Sequence, residues 1–299
     1  MHRAEGVLGS PGVQGRGDVR ATPVMALCQY QEAMSPKTTW IVQTNVEPES
    51  TSPTLLRTAC SVEGRPFHPI TVVPRSPTLP ELPDLEGPVV LHGRTTLILR
   101  ALEHPRWRRG VFFDPERFQH RAYVEGFGDR MLNARARVVS WDRFLAEPRS
   151  PDDLIFLKPN DDLKHFTGGV LRFSEHAEIF RALSTGPVAL SGSAEVVVAT
   201  PVEVDAEWRL FIVEGRVVTG SMYRPSADSY LPPELVAFAE DAAAGWAPAQ
   251  VFVLDVGRAE GAWKIVECNC FNGSRFYSAD VERLVRMVSE LQERSSGEG

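Results

Sequence analysis

Three oxygen-bearing side chains near the C-terminus, Asp255, Glu267 and Asn269, have the spacing to converge. They lie in VFVLDVGRAEGAWKIVECNC, which reads as two strands joined by a turn. The two-residue period of a strand puts Glu267 and Asn269 on one face and Cys268 and Cys270 on the other. A hairpin turning near Glu260–Gly261 brings Asp255 roughly opposite Glu267. Two carboxylates and an amide are poor ligands for Zn²⁺. They suit a hard cation such as Mg²⁺, which keeps water and phosphate oxygens in its shell. The alternative is a solvated sheet face. The otherwise apolar IVECNCFN weighs against that, because its polar groups sit where burial is expected.

Cationic groups lie upstream. All but four of the 32 basic residues are arginine, the lysines being Lys37, Lys158, Lys164 and Lys264. Such a bias reflects coding composition, so a retained lysine marks a place for a compact ammonium. Lys158 ends an apolar strand, and Lys164 enters HFTGG, where Gly168 and Gly169 let the backbone close over phosphates. A plain hairpin turn is the alternative there. In EWRLFIVEGRVVTGSMYR, Glu207 and Arg209 share a strand face and Arg224 ends the partner strand. Two arginines on neighbouring strands give a multidentate grip on phosphate or carboxylate, or are two surface charges on an edge.

The elements that must position these groups follow from pattern. A length of 299 residues suggests about two folding units of ~150 residues each. With 43% hydrophobic residues the composition is that of an ordinary globular chain. The net charge of −7 argues against a broad nucleic-acid footprint, though not against a local basic patch. Four cysteines make no disulfide scaffold, and neither a signal peptide nor an apolar run of ~20 residues is legible, so a cytoplasmic protein without membrane contact is expected. No HExxH, CxxC or GxSxG pattern is present.

Residues 1–37, rich in Gly, Pro, Ser and Arg, read as a disordered extension, with Met25 or Met34 as an alternative start. A first strand is expected over Thr38–Val46, a helix near Ser52–Ser61 with Pro53 in its first turn, and short strands at ITVV and PVVLHG. Helices over Pro115–Phe127 and Trp141–Glu147 carry interleaved Arg and aromatics, read as amphipathic surfaces rather than a nucleic-acid face. From Asp153 the expected order is strand DLIFLKP, a polar glycine-bearing loop, strand VLRF, and a helix with Ser174 as its N-cap. Then come β-rich runs, a helix between Pro232 and Ala244 capped by Gly245, and a last helix over Ser278–Arg294.

The order strand Lys, Gly-rich loop, VVVAT, Glu-x-Arg, Tyr-Arg, then Asp…Glu-x-Asn resembles the ATP-grasp superfamily, in the clade named for two arginines and a lysine. The resemblance is tightest over residues 153–277. It implies an α+β fold in which two subdomains grip ATP, preceded by a small α/β domain. The corresponding limits are 1–37 for the extension, 38–150 for the N-terminal domain, 151–290 for the ATP-grasp domain and 291–299 for a flexible tail. It also implies an ADP-forming ligase that activates a small-molecule or peptide carboxylate as an acyl phosphate and joins it to an amine. A phosphotransferase or a non-catalytic Mg²⁺–ATP module on the same scaffold is the alternative. By the same resemblance, Lys158 contacts the phosphates, as do Lys164, Gly168 and Gly169. Backbone groups of Val197, Val198 and Ala199 meet adenine, and Glu207 holds ribose. Arg209 and Arg224, with Lys158, serve the transferred phosphoryl group. Asp255, Glu267 and Asn269 hold Mg²⁺, with Mn²⁺ as the alternative ion. Asn272, Ser274 and Tyr277 contact the acceptor. Two departures stand out: VVVAT lacks the acidic-Lys or Gln-Lys pair of better-studied ligases, and bulky Arg275 lies beside the metal motif.

Overall fold

Thr39–Gln43 (β1) is an unbroken buried run, TWIVQ, as expected of a parallel strand covered on both faces. It is the centre of a three-stranded parallel sheet, between Phe67–Ile70 (β2) and Val89–His92 (β3). Ser52–Val62 (α1), with proline in its first turn, follows β1. The expected strand ITVV is displaced, because the chain leaves the ladder after Ile70. There the Asn45 side chain stands in for a strand: Val72 N–H donates to its Oδ1 (3.0 Å) and its Nδ2 donates to Val72 O (2.8 Å). The computed structural model describes residues 36–46, 50–73, 78–81, 84–163, 165–185 and 190–297, so the expectation for residues 1–37 falls almost wholly outside them. Pro36–Gly299 fold as one compact unit.

Thr95–Leu102 (α2) follows β3 directly, and His120–Phe127 (α3) comes next. The helix expected from Pro115 starts at His120 instead. Asp114 takes up Glu116 N–H with its side chain (2.9 Å), and Gln119 is extended.

A second, four-stranded sheet has the order β4-β7-β5-β6. Its strands are Arg137–Ser140 (β4), Leu154–Pro159 (β5), Gly169–Arg172 (β6) and Glu195–Ala199 (β7). The expected division after residue 150 runs through this sheet, because β4 pairs antiparallel with β7. Trp141–Ala146 (α4) and Phe173–Ser184 (α5) supply Trp141, Phe144 and Phe180 to a core with Ile155, Leu157, Val196 and Val198. The N-cap of α5 is Arg172, not Ser174, since the Arg172 amide donates to Glu175 (2.8 Å) and the helix starts earlier.

The third sheet is antiparallel, order β11-β10-β8-β9: Ala206–Val213 (β8), Arg216–Arg224 (β9), Val251–Ala259 (β10) and Ala262–Cys270 (β11). Both of its hairpins turn on two residues with positive φ, Glu214–Gly215 (49° and 76°) and Glu260–Gly261 (51° and 77°). Pro233–Gly245 (α6) covers one face and Val281–Gly297 (α7) the other, α7 lying between this sheet and α1. Because both faces are covered, β8 and β10 are buried on both. Leu210, Ile212, Phe252 and Leu254 enter one core and Phe211, Val213, Val251 and Val253 the other. Arg209 and Asp255 continue the second of these rows at its polar end. Among the described residues no helix is long and apolar enough to cross a membrane.

Candidate active site

Asp255 sits in the middle of three strands. Its register partner on β11 is Glu267 and its partner on β8 is Arg209. Arg209 donates through Nε and Nη2 to the two Asp255 oxygens (2.8 and 2.7 Å), and Asn269 Nδ2 donates to Oδ2 (3.0 Å). Burial opposes the Arg209 charge, but Asp255 outweighs it and holds the guanidinium proton above its ordinary range. The Tyr223 and Tyr277 rings stack at 5.2 Å, and the Arg209 guanidinium lies over both. Burial, then the nearby Asp255 and Glu207 carboxylates, push the Tyr223 hydroxyl upward, so it stays protonated. Burial also raises Glu207, whose register partner is Arg224, 3.7 Å away as an ion pair.

Lys158 reaches this cluster from the second sheet. Its Nζ donates to Glu267 Oε1 at 3.1 Å, and its side chain is 7% exposed. Gly168 makes room for it: a Cβ there would lie 2.5 Å from Lys158 Cβ, so only glycine lets the loop pass so closely. A Cβ on Gly169 would meet nothing within 4 Å. The loop after β5 docks on β11 where Cys270 N–H donates to Asp162 Oδ2 (2.8 Å). His120, buried beside this group, is held down to about 4, first by burial and then by the Lys158 charge.

Of these residues Asp162, Arg209, Glu267, Cys270 and Tyr277, with Asn269, line a cleft of about 660 Å³, whose wall also includes the His92–Thr96 segment, Gly273, Ser274 and Arg275. Of the sequence-derived site residues, Lys158, Glu207, Arg209, Arg224, Asp255, Glu267 and Asn269 are brought together, and Ser274 and Tyr277 line the cleft. Lys164 lies outside the described residues. Val197 and Val198 do not fit an adenine-contacting backbone. Both sit inside a strand paired on one side with β4 and on the other with β5, which takes up their N–H and C=O groups. Ala199, at the strand end, is paired with β5 alone. Asn272 is not a substrate contact. Wholly buried, it donates to Leu91 O (2.6 Å) and Gly110 O (2.8 Å) and accepts from Phe112 N–H (2.7 Å), clamping β11 to the parallel sheet. Sequence reasoning misses Asp162, Tyr223 and Arg94. The doubled Asp beside Lys164 and the Tyr before Arg224 are the only local signals for the first two.

Among the described residues no three His, Cys, Asp or Glu side chains gather as a metal site. The candidate donors are instead two carboxylates facing each other across β10 and β11, plus the neighbouring amide of Asn269. This oxygen-rich, sulfur-free set fits a hard cation that shares its shell with phosphate and water.

A sequence-family model described as an ATP-grasp domain, family 3 of the two-arginine, one-lysine clade, matches residues 89–288, a range that includes strands of all three sheets. The chain belongs to that ATP-grasp family. No curated protein matches its sequence. Among solved structures, this ATP-grasp chain is similar to the D-cycloserine synthetase DcsG at 16% identity and a TM-score of 0.54, covering 85% of this chain and 99% of that one. It is similar to D-alanine–D-alanine ligase from Bacillus anthracis complexed with ATP, at 15% identity and a TM-score of 0.56, covering 88% and 99%. It is also similar to a RimK-domain ATP-grasp protein from Sphaerobacter thermophilus, at 14% identity and a TM-score of 0.55, covering 86% and 99%. At these identities the likeness is one of fold, and the ATP-grasp architecture is the shared feature.

Proposed function

We propose that this protein is an ATP- and Mg²⁺-dependent ligase that activates a carboxylate and joins it to an amine, releasing ADP and phosphate. The observation that carries this reading is the 3.1 Å contact of Lys158 with Glu267, which puts a buried ammonium from one sheet against the acidic face of another. The solved relatives include a synthetase and a ligase that carry D-cycloserine and D-alanine–D-alanine in their names.

The chemical obstacle is charge, since a carboxylate oxygen must attack an anionic γ-phosphate. Here Lys158 and Arg209 are already held in place and largely desolvated, which is how preorganised sites lower such barriers. Lys158 would exchange Glu267 for phosphate oxygens, and Gly168 and Gly169 would let the loop close over them. Glu207 would hold ribose hydroxyls, and Ala199 would present backbone to the base. Arg209 would give up part of its pairing with Asp255 as that carboxylate turns to Mg²⁺, and with Arg224 would grip the transferred phosphoryl group. Asp255, Glu267 and Asn269 would hold Mg²⁺, which would neutralise phosphate charge. In the balanced reaction the carboxylate takes the γ-phosphoryl group and ADP leaves. The amine nitrogen then attacks the acyl carbon, its proton is lost and phosphate departs. The test is incubation with ATP, Mg²⁺ and pools of carboxylates and amines, followed by mass analysis. A product equal to acid plus amine minus water supports the reading. A product that has gained phosphate, or nucleotide binding with no product, overturns it.

A further inference from the structure

Part of the cleft wall is not used by the chemistry above. Besides tyrosine and cysteine, six charged or ionisable side chains line the cleft: His92, Arg94, Asp162, Arg209, Glu267 and Arg275. Arg209 is taken by Asp255, Glu267 by Lys158, and Asp162 accepts the Cys270 amide. His92 is buried, stacks on Phe276 at 5.2 Å and is held down to about 4, so it adds no charge near neutrality. Arg94 and Arg275 differ: both are exposed, and neither guanidinium makes an ion pair or hydrogen bond among the described residues.

The two arginines come from distant parts of the chain but stand on one rigid base. Gly93 N–H donates to Asn272 O (2.8 Å), and His92 Nε2 donates to Ser274 O (3.1 Å). Each arginine therefore follows directly on a residue in this tie. The two segments pass closely at Gly273, where a Cβ would lie 3.3 Å from Gly93 O. Guanidinium groups without a protein carboxylate, opening into the same cavity as a phosphoryl-transfer centre, are suited to a planar oxyanion.

We propose that Arg94 and Arg275 bind a second anionic group of the substrate, so that the acid activated beside Glu267 also carries a further carboxylate or phosphate. This rests on the proposed ligase function. It makes the substrate class a diacid or a phosphorylated acid rather than a simple monocarboxylate.

The experiment is isothermal titration of the full chain, with Mg²⁺ and a non-hydrolysable ATP analogue present. The probes are linear α,ω-dicarboxylates of four to ten carbons, each against the monocarboxylate of the same carbon number, and the matching ω-phosphono acids. The expected result is at least a tenfold preference for one diacid or phosphono acid over its monoacid. Arg94→Ala and Arg275→Ala should each cut that preference to threefold or less, with Arg275→Lys in between because it keeps charge but loses the fork. Tighter binding of the phosphono acid identifies the second group as phosphate, and tighter binding of the diacid as carboxylate. No preference anywhere in the wild-type series, or a preference that survives both alanine variants, overturns the inference. If a variant fails to fold, the wild-type series alone decides. Absence of heat with the ATP analogue would count against the ligase reading, and the same series run without nucleotide would still decide this site.

Discussion

The Arg209 guanidinium spans both oxygens of Asp255, at 2.8 and 2.7 Å, across the neighbouring strands β8 and β10. Both side chains are buried, Asp255 to 4% exposure. Removing one member of such a pair leaves the other as an uncompensated buried charge. Asp255→Ala should therefore cost about 3–5 kcal/mol of stability. Pairing it with Arg209→Met should restore part of that loss. Urea unfolding of the single and double variants measures both, and a single-variant loss below about 1 kcal/mol would contradict the arrangement.

Lys158→Ala and Glu267→Gln should act on turnover. Each removes one preorganised charge of a kind worth ~2.7–4 kcal/mol in the barrier, so ADP release should fall by about 100- to 1000-fold. Glu267→Gln should also raise the Mg²⁺ concentration needed for half-maximal rate, whereas Lys158→Ala should raise the ATP requirement. Circular dichroism separates these effects from unfolding. Wild-type turnover in either variant would remove both residues from the site.

Asn272 should matter for folding. Asn272→Ala breaks three hydrogen bonds and strands Leu91 O, Gly110 O and Phe112 N–H in the interior, at ~1–3 kcal/mol for each group left unsatisfied. Ser274→Ala, which loses only the Oγ bond to Phe271 O (2.8 Å), should cost far less. Thermal midpoints of the two variants give the ranking, and equal midpoints would refute the clamp.

Stability should fall on mild acidification. Burial holds His92 and His120 near 4 in the folded protein, against about 6.5 when exposed. The unfolded chain therefore takes up protons first. The stabilising effect is complete above 6.5 and is lost as the pH falls from there toward 4. Unfolding free energies from urea titrations between about pH 7 and 5 should drop with a slope of roughly two protons from His92 and His120, with a further contribution from His176, which burial also lowers. His120→Asn should remove about one of them, and a flat profile over that range would be inconsistent with two neutral buried imidazoles.

The parts of this site that are legible in the sequence are those set by local rules. The β10–β11 hairpin is readable because Glu260–Gly261 is a two-residue turn and the strand period then dictates that Asp255 faces Glu267. Lys158 stands out because lysine is scarce against arginine. The adenine segment is misleading because VVVAT is apolar for a different reason: β7 is an interior strand with a sheet neighbour on each side. Asn272 looks like a substrate contact because it follows the Glu-x-Asn motif. Its true partners lie more than 150 positions away, where no local pattern reaches. Arg94 is invisible for the same reason. Its place in the cleft depends on the tie between Gly93 and Asn272.

The distance along the chain between Lys158 and Glu267 has a bearing on synthesis. Their contact closes a loop of 109 positions, and Asp255 and Asn269 lie on the same late hairpin. A growing polypeptide therefore carries Lys158, Arg209 and Arg224 before it carries Asp255, Glu267 or Asn269. Until the hairpin clears the ribosome, Lys158 and Arg209 lack the carboxylates that hold them in the finished protein. On the proposed function, nucleotide capture is then one of the last events of maturation, and no N-terminal fragment ending before Asn269 should retain it.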